Sequence, residues 1–123
     1  MFTFFAIPVL FSALTALVAG RALDVWAPPV TSPTAGSVWP KGSVQNVTWD
    51  TSGEPSQVTN PTGRVVLSKG GVLDFNHTLA SNFSLSQGWV NLTVPSDVVN
   101  GDDYAVVLFG DSGDNSPSFS ITD

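Results

Sequence analysis

Residues 43–50 read Ser-Val-Gln-Asn-Val-Thr-Trp-Asp, and this stretch decides the fold. From position 46 onward polar and apolar residues alternate, which places Val47 and Trp49 on one side of the chain. A period of two is typical of a half-buried β-strand. The polar side contains the N-glycosylation sequon Asn46-Val47-Thr48, which has a use only on a surface exposed in the secretory pathway. The stretch therefore predicts a strand with a buried Trp and a solvent-facing side in a secreted chain.

The composition agrees with a small all-β domain. The chain has 123 residues, of which 42% are hydrophobic and only 11% are charged, and this is enough for one domain with a single core. Nine Pro and eleven Gly favour turns and short strands, and no stretch sustains a helical period. Strand candidates recur at spacings of about ten residues, as in β-sandwiches. We therefore predict an all-β, Ig-like or fibronectin-III-like antiparallel β-sandwich of about seven strands.

Seven segments carry the strand pattern. They are residues 43–50, 64–68, 72–75, 79–85, 89–94, 103–110 and 118–122. Two shorter candidates, 23–27 and 38–39, lie among prolines, which restricts them to edge or bent strands. Lys-Gly-Gly at 69–71 predicts a hairpin turn between two of the segments. Tyr104 follows a glycine turn at the start of a strand that is apolar on both faces, and this placement resembles the tyrosine corner of Ig-like sandwiches.

Four sequons indicate which side of each strand faces outward. Their asparagines, Asn46, Asn76, Asn82 and Asn91, are the candidate glycosylation sites. In a strand the Asn and the Ser or Thr of a sequon share one face, so the middle residue points inward. Val47, Phe83 and Leu92 are therefore predicted to be buried. The sequon around His77 is predicted to form a turn instead.

Charge and cysteine content exclude several classes of function. A net charge of −6, with only four Lys and Arg, argues against binding to nucleic acid, whose phosphates require basic side chains, and against an anionic membrane surface. Because the chain has no cysteine, it has no thiol nucleophile, thiolate metal site or disulfide. The core must be held by packing alone, and no cofactor is expected.

Residues 1–22 are predicted to form a signal peptide. An apolar run comes first, and the small residues Ala19, Gly20 and Ala22 at its end suit signal cleavage. Cleavage after Ala22 leaves residues 23–123 as one mature Ig-like domain, and cleavage after Ala19 or Gly20 is the alternative. An uncleaved membrane anchor is disfavoured because the run is short for a span, so no membrane span is expected in the mature chain.

The single histidine gives no sign of catalysis. His77 lies inside a sequon, so it is predicted to be a surface residue without metal or catalytic partners. A copper-dependent polysaccharide monooxygenase would need a histidine as the new N-terminus after signal cleavage. Here the mature chain is expected to begin near Arg21 or Leu23.

The acidic residues also fail to form a recognisable site. Asp102, Asp103, Asp111 and Asp114 lie near the two ends of one predicted strand, roughly 25 Å apart, which is too far for the carboxylate pair of a glycoside hydrolase. The segment 111–115 lacks the spacing of an EF-hand calcium loop. Solvated turn residues are the better interpretation, and the chain is predicted not to be an enzyme.

The tryptophans offer a basis for glycan binding. Trp49 is predicted to lie in the core, whereas Trp89 shares its parity with Asn91 and should face solvent. Trp26 and Trp39 lie in short proline-bounded segments. Because an exposed indole can stack on the apolar face of a sugar ring, Trp89, Trp39 and Trp26 are candidate glycan contacts. The alternative for Trp26 and Trp39 is that they cap the end of the sandwich.

Short motifs along residues 24–123 resemble one fungal family in their order and spacing. They are Thr34-Ala35-Gly36-Ser37, Lys41-Gly42-Ser43, Val47-Thr48-Trp49, Gly101-Asp102-Asp103-Tyr104, Leu108-Phe109-Gly110-Asp111-Ser112-Gly113 and Ser116-Pro117-Ser118-Phe119-Ser120-Ile121. The sequence is similar to the N-terminal domain of Kre/Knh-type yeast cell-wall-synthesis proteins, found in many Ser/Thr-rich, GPI-anchored fungal surface proteins. The resemblance implies an Ig-like sandwich at the cell surface that is linked to β-glucan assembly or wall organisation. It brings no catalytic residues.

Together these observations predict a secreted, non-enzymatic cell-surface or cell-wall glycoprotein module. The expected partner is cell-wall polysaccharide, and the alternative is a surface protein bound through an exposed strand edge or loop. Proteins of the resembled family usually continue into a Ser/Thr-rich stalk with a C-terminal GPI signal, a pattern that this sequence lacks. The sequence is thus expected to be either a stand-alone secreted domain or a piece of a longer protein.

Overall fold

The computed structural model describes residues 25–58 and 60–123, so the predicted signal peptide at 1–22 lies outside the described residues. The strands are β1 (Val30–Ser32), β2 (Val38–Pro40), β3 (Val44–Trp49), β4 (Thr62–Lys69), β5 (Val72–Ser84), β6 (Trp89–Thr93), β7 (Gly101–Phe109), β8 (Gly113–Asn115) and β9 (Phe119–Thr122), with one 3₁₀ turn at Leu85–Gln87. Within the described part of the chain, no helix is long and apolar enough to cross a membrane.

The strands form two sheets. In the larger sheet the order is β2-β9-β7-β4-β5, and β8 also pairs with β7, while the smaller sheet has the order β1-β3-β6. Neighbouring strands are antiparallel except β9 and β2, which run parallel. The predicted all-β, Ig-like sandwich is confirmed, with one parallel pair that the sequence pattern did not predict.

The core lies between the sheets and follows the alternation seen in the sequence. Val47 and Trp49 of β3 are buried on the inner side of the smaller sheet, at 0% and 4% exposure. The larger sheet contributes the inward residues of β4 and β7, which are Val65, Leu67, Tyr104, Val106 and Leu108. Leu92 is buried and Phe83 is partly buried against the core, as the sequon register predicts. Because a one-residue slip would reverse every face, burial of these residues fixes the register.

Tyr104 forms the predicted tyrosine corner. Its ring is 2% exposed, and its hydroxyl donates a hydrogen bond of 2.6 Å to the carbonyl oxygen of Val99, five residues earlier. Since Val99 lies in the connection between β6 and β7, this bond holds the crossing loop against the start of β7.

One long strand replaces two predicted ones. Residues 72–75 and 79–85 were expected to be separate strands with a turn at the His77 sequon, but β5 runs through Val72–Ser84. The expectation is partly explained by a bulge, because Val66 pairs with Thr78 while the next residue of β4, Leu67, pairs with Asp74. Residues 75–77 therefore have no partners on β4. The Asp74 carboxylate accepts a 3.0 Å hydrogen bond from the Asn76 N–H, which supports the bulge while the strand continues.

The first strand lies later than expected. The described part of the 23–27 candidate has no strand pairing, and β1 begins at Val30. Pro28 and Pro29 lack the N–H that a ladder requires, while Trp26 and Pro28 bury their side chains in the sandwich. With the three-residue strands β1, β2 and β8 added and two predicted strands merged, the structure has nine strands instead of about seven.

The tyrosine corner gives a direct test of this packing. Tyr104→Phe keeps the buried ring and removes only the hydroxyl that bonds to Val99. We expect the free energy of unfolding to fall by about 1 kcal/mol, because one hydrogen bond is lost and its acceptor is left without that donor. Urea denaturation with an unchanged m-value would measure this loss. An unchanged midpoint would show that the bond does not contribute to stability.

Candidate functional site

The outer face of the larger sheet carries the candidate site in the described part of the chain. Val66 of β4 and Val107 of β7 are directly paired and point away from the core. Both are nevertheless buried, at 0% and 5% exposure. Larger side chains around this pair thus enclose an apolar floor on the outer face of the sheet.

Arg64 lies across this face between two aromatic rings. Its guanidinium carbon is 5.2 Å from the ring centroid of Phe109, which pairs with it on β7, and 5.6 Å from the centroid of Phe75. Phe75 comes from the β5 bulge, so the bulge brings its ring within reach of Arg64. Both distances lie within the range of cation–π attraction. Phe75, Arg64 and Phe109 form what we call the arginine stack.

The charge of the arginine stack is not neutralised within the described residues. Lys41 forms an ion pair with Asp123 at 3.2 Å, and Lys69 forms one with Asp103 at 2.8 Å. Arg64, by contrast, has no carboxylate within 4 Å among residues 25–58 and 60–123. A planar guanidinium presents five N–H donors in a fixed geometry. Arg64 therefore offers hydrogen-bond donors to a ligand beside the exposed ring of Phe75.

Two cavities flank the arginine stack and share the ring of Phe109. The first, about 290 Å³, is lined by Ser68, Leu73, Asn115 and Gly113 among others. The second, about 370 Å³, is lined by residues that include Arg64 and the sequon residue Asn82. We call the two cavities and the stack the sheet groove. They are lined by both apolar and polar groups, as a small-ligand site requires.

A glycine shapes the first cavity. A Cβ atom built on Gly113 would lie 2.9 Å from Phe109 Cε1 and 2.9 Å from Val107 Cγ1, closer than side chains tolerate. Glycine at this position therefore leaves room beside the Phe109 ring.

His77 lies between two carboxylates. Its Nδ1 is 2.5 Å from Asp74 Oδ2, and its Nε2 is 2.9 Å from Asp97 Oδ1. These two hydrogen bonds, led by the one to Asp74, raise the pKa of His77, and the bonds to His77 lower the pKa of Asp74 and of Asp97. His77 is partly buried, since its side chain is 19% exposed, and it joins the β5 bulge to the β6–β7 connection. That it has no metal or catalytic role stays a prediction.

His77, Asp74 and Asp97, which we call the histidine cluster, are not arranged to hold a metal ion. No set of three or more His, Cys, Asp or Glu side chains in the described residues could hold a metal ion. Lys69 and Tyr104 line the same cavity of about 200 Å³ as His77. Lys69 is itself held by Asp103, whose hydrogen bond raises the pKa of the Lys69 ammonium.

The three tryptophans proposed as glycan contacts lie in different environments. Trp26 and Trp39 are buried at 7% and 4% exposure, and the Trp39 ring centroid is 4.4 Å from that of Phe119. Neither has a ring face free for a sugar, because both complete the core, as the end-cap alternative proposed. Trp89 is 49% exposed on the outer face of the smaller sheet. It stays the one candidate tryptophan.

All four sequon asparagines are exposed. Asn46 and Asn91 are directly paired across β3 and β6, and Asn46 Nδ2 donates a hydrogen bond of 2.7 Å to Asn91 Oδ1. Asn76 lies in the β5 bulge, and Asn82 adopts a left-handed conformation with φ of 60°. Exposure makes these sites accessible, and their glycosylation stays a prediction.

The arginine stack was missed by sequence reasoning. The available signal was that Arg64 alternates with the buried Val65 and so faces outward, in a chain with few basic residues. Its pairing with Phe109 and its approach to Phe75 depend on strand register and on a bulge. Neither follows from the local sequence.

The two packed sheets, the tyrosine corner and the strand order define an immunoglobulin-like β-sandwich domain. The family model of the Kre9/KNH-like N-terminal Ig-like domain matches residues 32–122, and the chain belongs to this family. It is therefore a fungal cell-wall-related domain. No curated protein and no solved structure gives a significant match to the chain.

The histidine cluster predicts a pH dependence of stability. The pKa of His77 is raised in the folded state, so the charged imidazolium stabilises the fold. This stabilisation is fully present below the unfolded-state pKa of about 6.5 and is lost as the pH rises through the folded-state pKa. The facing groups Asp74 and Asp97 have lowered pKa values, so their contribution is lost only as the pH falls below about 4. We expect the free energy of unfolding to fall between about pH 6 and pH 8 in the wild type.

Urea denaturation across this pH range measures the effect. His77→Gln keeps a hydrogen-bonding side chain but cannot become charged, so its stability should change less with pH over the same interval. Equal pH slopes for the two proteins would contradict the assignment of the dependence to His77.

Proposed function

We propose that the chain is a secreted, non-enzymatic cell-wall module that binds neutral wall polysaccharide in the sheet groove and serves in β-glucan assembly or organisation. The observation that carries this proposal is the arginine stack, in which Arg64 lies between Phe75 and Phe109 without an acidic partner among the described residues. The family supports the coarser part of the proposal, since it is related to the fungal cell wall.

The chemistry of the sheet groove suits a polyhydroxylated chain. The Phe75 ring, with the residue 60% exposed, offers an apolar surface to sugar C–H groups. The Arg64 guanidinium and the polar side chains of Ser68 and Asn115 supply hydrogen-bond donors and acceptors for hydroxyl groups. A net charge of −6 disfavours an anionic polymer. A neutral glucan therefore fits the groove better than an acidic polysaccharide does.

The sheet groove is a better candidate than the surface around Trp89. Trp89 shares the outer face of the smaller sheet with the sequon residues Asn46 and Asn91. A wall polymer bound there would compete for space with any sugar attached to those asparagines. In the sheet groove the sequon residue Asn82 lines only the second cavity, and the first cavity, lined by Ser68 and Asn115, has no sequon asparagine in its wall.

Two of the four aspartates considered for hydrolysis, and both aspartates beside His77, are engaged in structural contacts. Asp103 forms an ion pair with Lys69, and Asp114 Oδ2 accepts a 2.9 Å hydrogen bond from the Val30 N–H. Asp74 and Asp97 are both bonded to His77. These contacts support a binding role over catalysis.

A partner that adds a strand is less well supported. One edge of the larger sheet is β5, which is bulged at residues 75–77 and carries the sequon residues Asn76 and Asn82. The opposite edge is β2, which has only three residues. Bulges and bulky edges protect a sheet from pairing with another chain. The groove is therefore the surface on which the binding test should concentrate.

The test is co-sedimentation of the secreted full chain with insoluble β-1,3-glucan, β-1,6-glucan and chitin, with released sugar assayed in the supernatant. We expect retention on a glucan without sugar release. Arg64→Ala should weaken retention about fivefold, because hydrogen bonds from the guanidinium to the sugar that are worth about 1 kcal/mol are removed. Gly113→Ala should also weaken it, because the new methyl group crowds the Phe109 ring.

Matched variants keep the result interpretable. Lys41→Ala removes another positive charge, from a partly buried side chain that is paired with Asp123 outside the sheet groove, so its retention should equal that of the wild type. Trp89→Ala in the same assay compares the earlier tryptophan hypothesis with the groove. Retention that depends on Trp89 and not on Arg64 would place the binding site on the smaller sheet. Absence of retention would favour a protein partner. Released sugar would overturn the non-enzymatic assignment.

A further inference from the structure

We propose that Asn91 carries an N-linked glycan that lies over the indole ring of Trp89, so that the outer face of the smaller sheet is covered by the chain's own sugar. The proposal rests on the secretion of the chain, which is part of the proposed function, but it does not depend on polysaccharide binding in the sheet groove.

The spacing along β6 places the two side chains together. Trp89, Asn91 and Thr93 alternate with the inward Val90 and Leu92, and all three are exposed. Residues two apart on a strand lie about 7 Å from each other on one face. This distance lets the first sugar of a chain on Asn91 reach the ring of Trp89, which is 49% exposed.

The amide of Asn91 is oriented for attachment. Asn46 Nδ2 donates to Asn91 Oδ1 at 2.7 Å, and it also lies 3.5 Å from the backbone carbonyl oxygen of Val90. A backbone oxygen can only accept, which fixes the orientation of the Asn46 amide. Asn91 therefore uses its oxygen in this bond and leaves Nδ2, the atom that a glycan modifies, directed elsewhere.

The strand register explains why Asn46 is the partner and not a second carrier. The Trp49 N–H donates to the Gly88 carbonyl oxygen at 3.0 Å, and the Val94 N–H donates to that of Ser43 at 2.9 Å. The intervening pair Asn46–Asn91 is therefore a non-hydrogen-bonded pair, in which the Cα atoms are only about 4.5 Å apart and the side chains are closest. Sugars on both residues would start from neighbouring side chains and would disrupt the hydrogen bond between the two side-chain amides.

A covalently attached sugar also outcompetes a free one at this ring. Tethering raises the effective concentration of a ligand to the millimolar range even when the intrinsic contact is weak. The Trp89 ring is consequently occupied by the attached glycan before a wall polymer reaches it. The exposed tryptophan thus acts as a platform for the chain's own modification.

The first experiment compares two isosteric variants of the full chain secreted from a fungal host, with glycopeptide mass spectrometry of all four sequons. Thr93→Val removes the Asn91 sequon and Thr48→Val removes the Asn46 sequon, and each keeps a β-branched side chain in its strand. We expect Thr93→Val to lose the mass of one glycan and Thr48→Val to lose none. A secreted wild type with Asn91 unmodified would overturn the inference and leave the proposed function standing.

The second experiment tests the contact with Trp89 by thermal unfolding of four proteins: wild type, Thr93→Val, Trp89→Ala and the double variant. Loss of the glycan should lower the Tm by about 4 °C when Trp89 is present and by less than about 1 °C when it is alanine. Equal losses in the two backgrounds would overturn the stacking. A chain that stays inside the cell without any N-glycan would overturn secretion and this inference together, whereas the glucan assay tests the groove independently.

Discussion

The structure depends on the anchoring of Trp49 between the two sheets. Its ring is buried on β3 of the smaller sheet, and its Nε1–H donates a 2.7 Å hydrogen bond to the carbonyl oxygen of Leu85, in the 3₁₀ turn that directly follows β5 of the larger sheet. The same ring packs on Phe83, with 5.4 Å between centroids. Since the chain has no cysteine, a buried indole with its polar group satisfied provides the link between sheets that a disulfide gives many small secreted domains.

The two outer faces follow from this anchoring. With Trp49 fixed inward, alternation along β3 and along its partner β6 directs Asn46, Asn91 and Trp89 outward. On the larger sheet, burial of Val65 and Leu67 directs Arg64 outward beside Phe109. Both candidate sugar contacts are therefore consequences of the register that the core imposes. The inner side of the sandwich decides what the outer sides can bind.

The sequence predicts correctly which side chains are buried where the alternation within a single strand is enough to assign its inward and outward faces. Alternation and the sequons identified the inward Val47 and Leu92, and the position of Tyr104 after a glycine turn indicated its corner. Trp26 and Trp39 could not be assigned in this way, because prolines interrupt their segments and no alternation defines a face. Tertiary packing placed both rings in the core.

Features that depend on contacts between separate strands could not be predicted from the sequence. The bulge at residues 75–77 arises because β4 continues to pair on both sides of these residues, and the Asp74 carboxylate supports it. His77 then meets Asp97, which is twenty residues away in the chain. The arginine stack likewise needs the β4–β7 register and the same bulge. The turn predicted at the His77 sequon is wrong, because β5 runs through it, and the three residues without partners on β4 form a bulge that the local pattern could not distinguish from a turn.

The two outer faces of the sandwich differ in the groups that they offer to sugars. Of the Lys and Arg side chains in the described residues, Lys41 and Lys69 are paired with acids, whereas Arg64 has no acidic partner and lies beside two aromatic rings. On the opposite sheet, the exposed Trp89 shares its face with the sequon residues Asn46 and Asn91. A free polymer requires hydrogen-bond donors that are not already used, and only the larger sheet offers a charged one. A tethered sugar requires no such donor, because covalent attachment supplies the proximity. In the two proposals made above, one face of the sandwich therefore binds the wall polymer and the glycan on Asn91 covers the other.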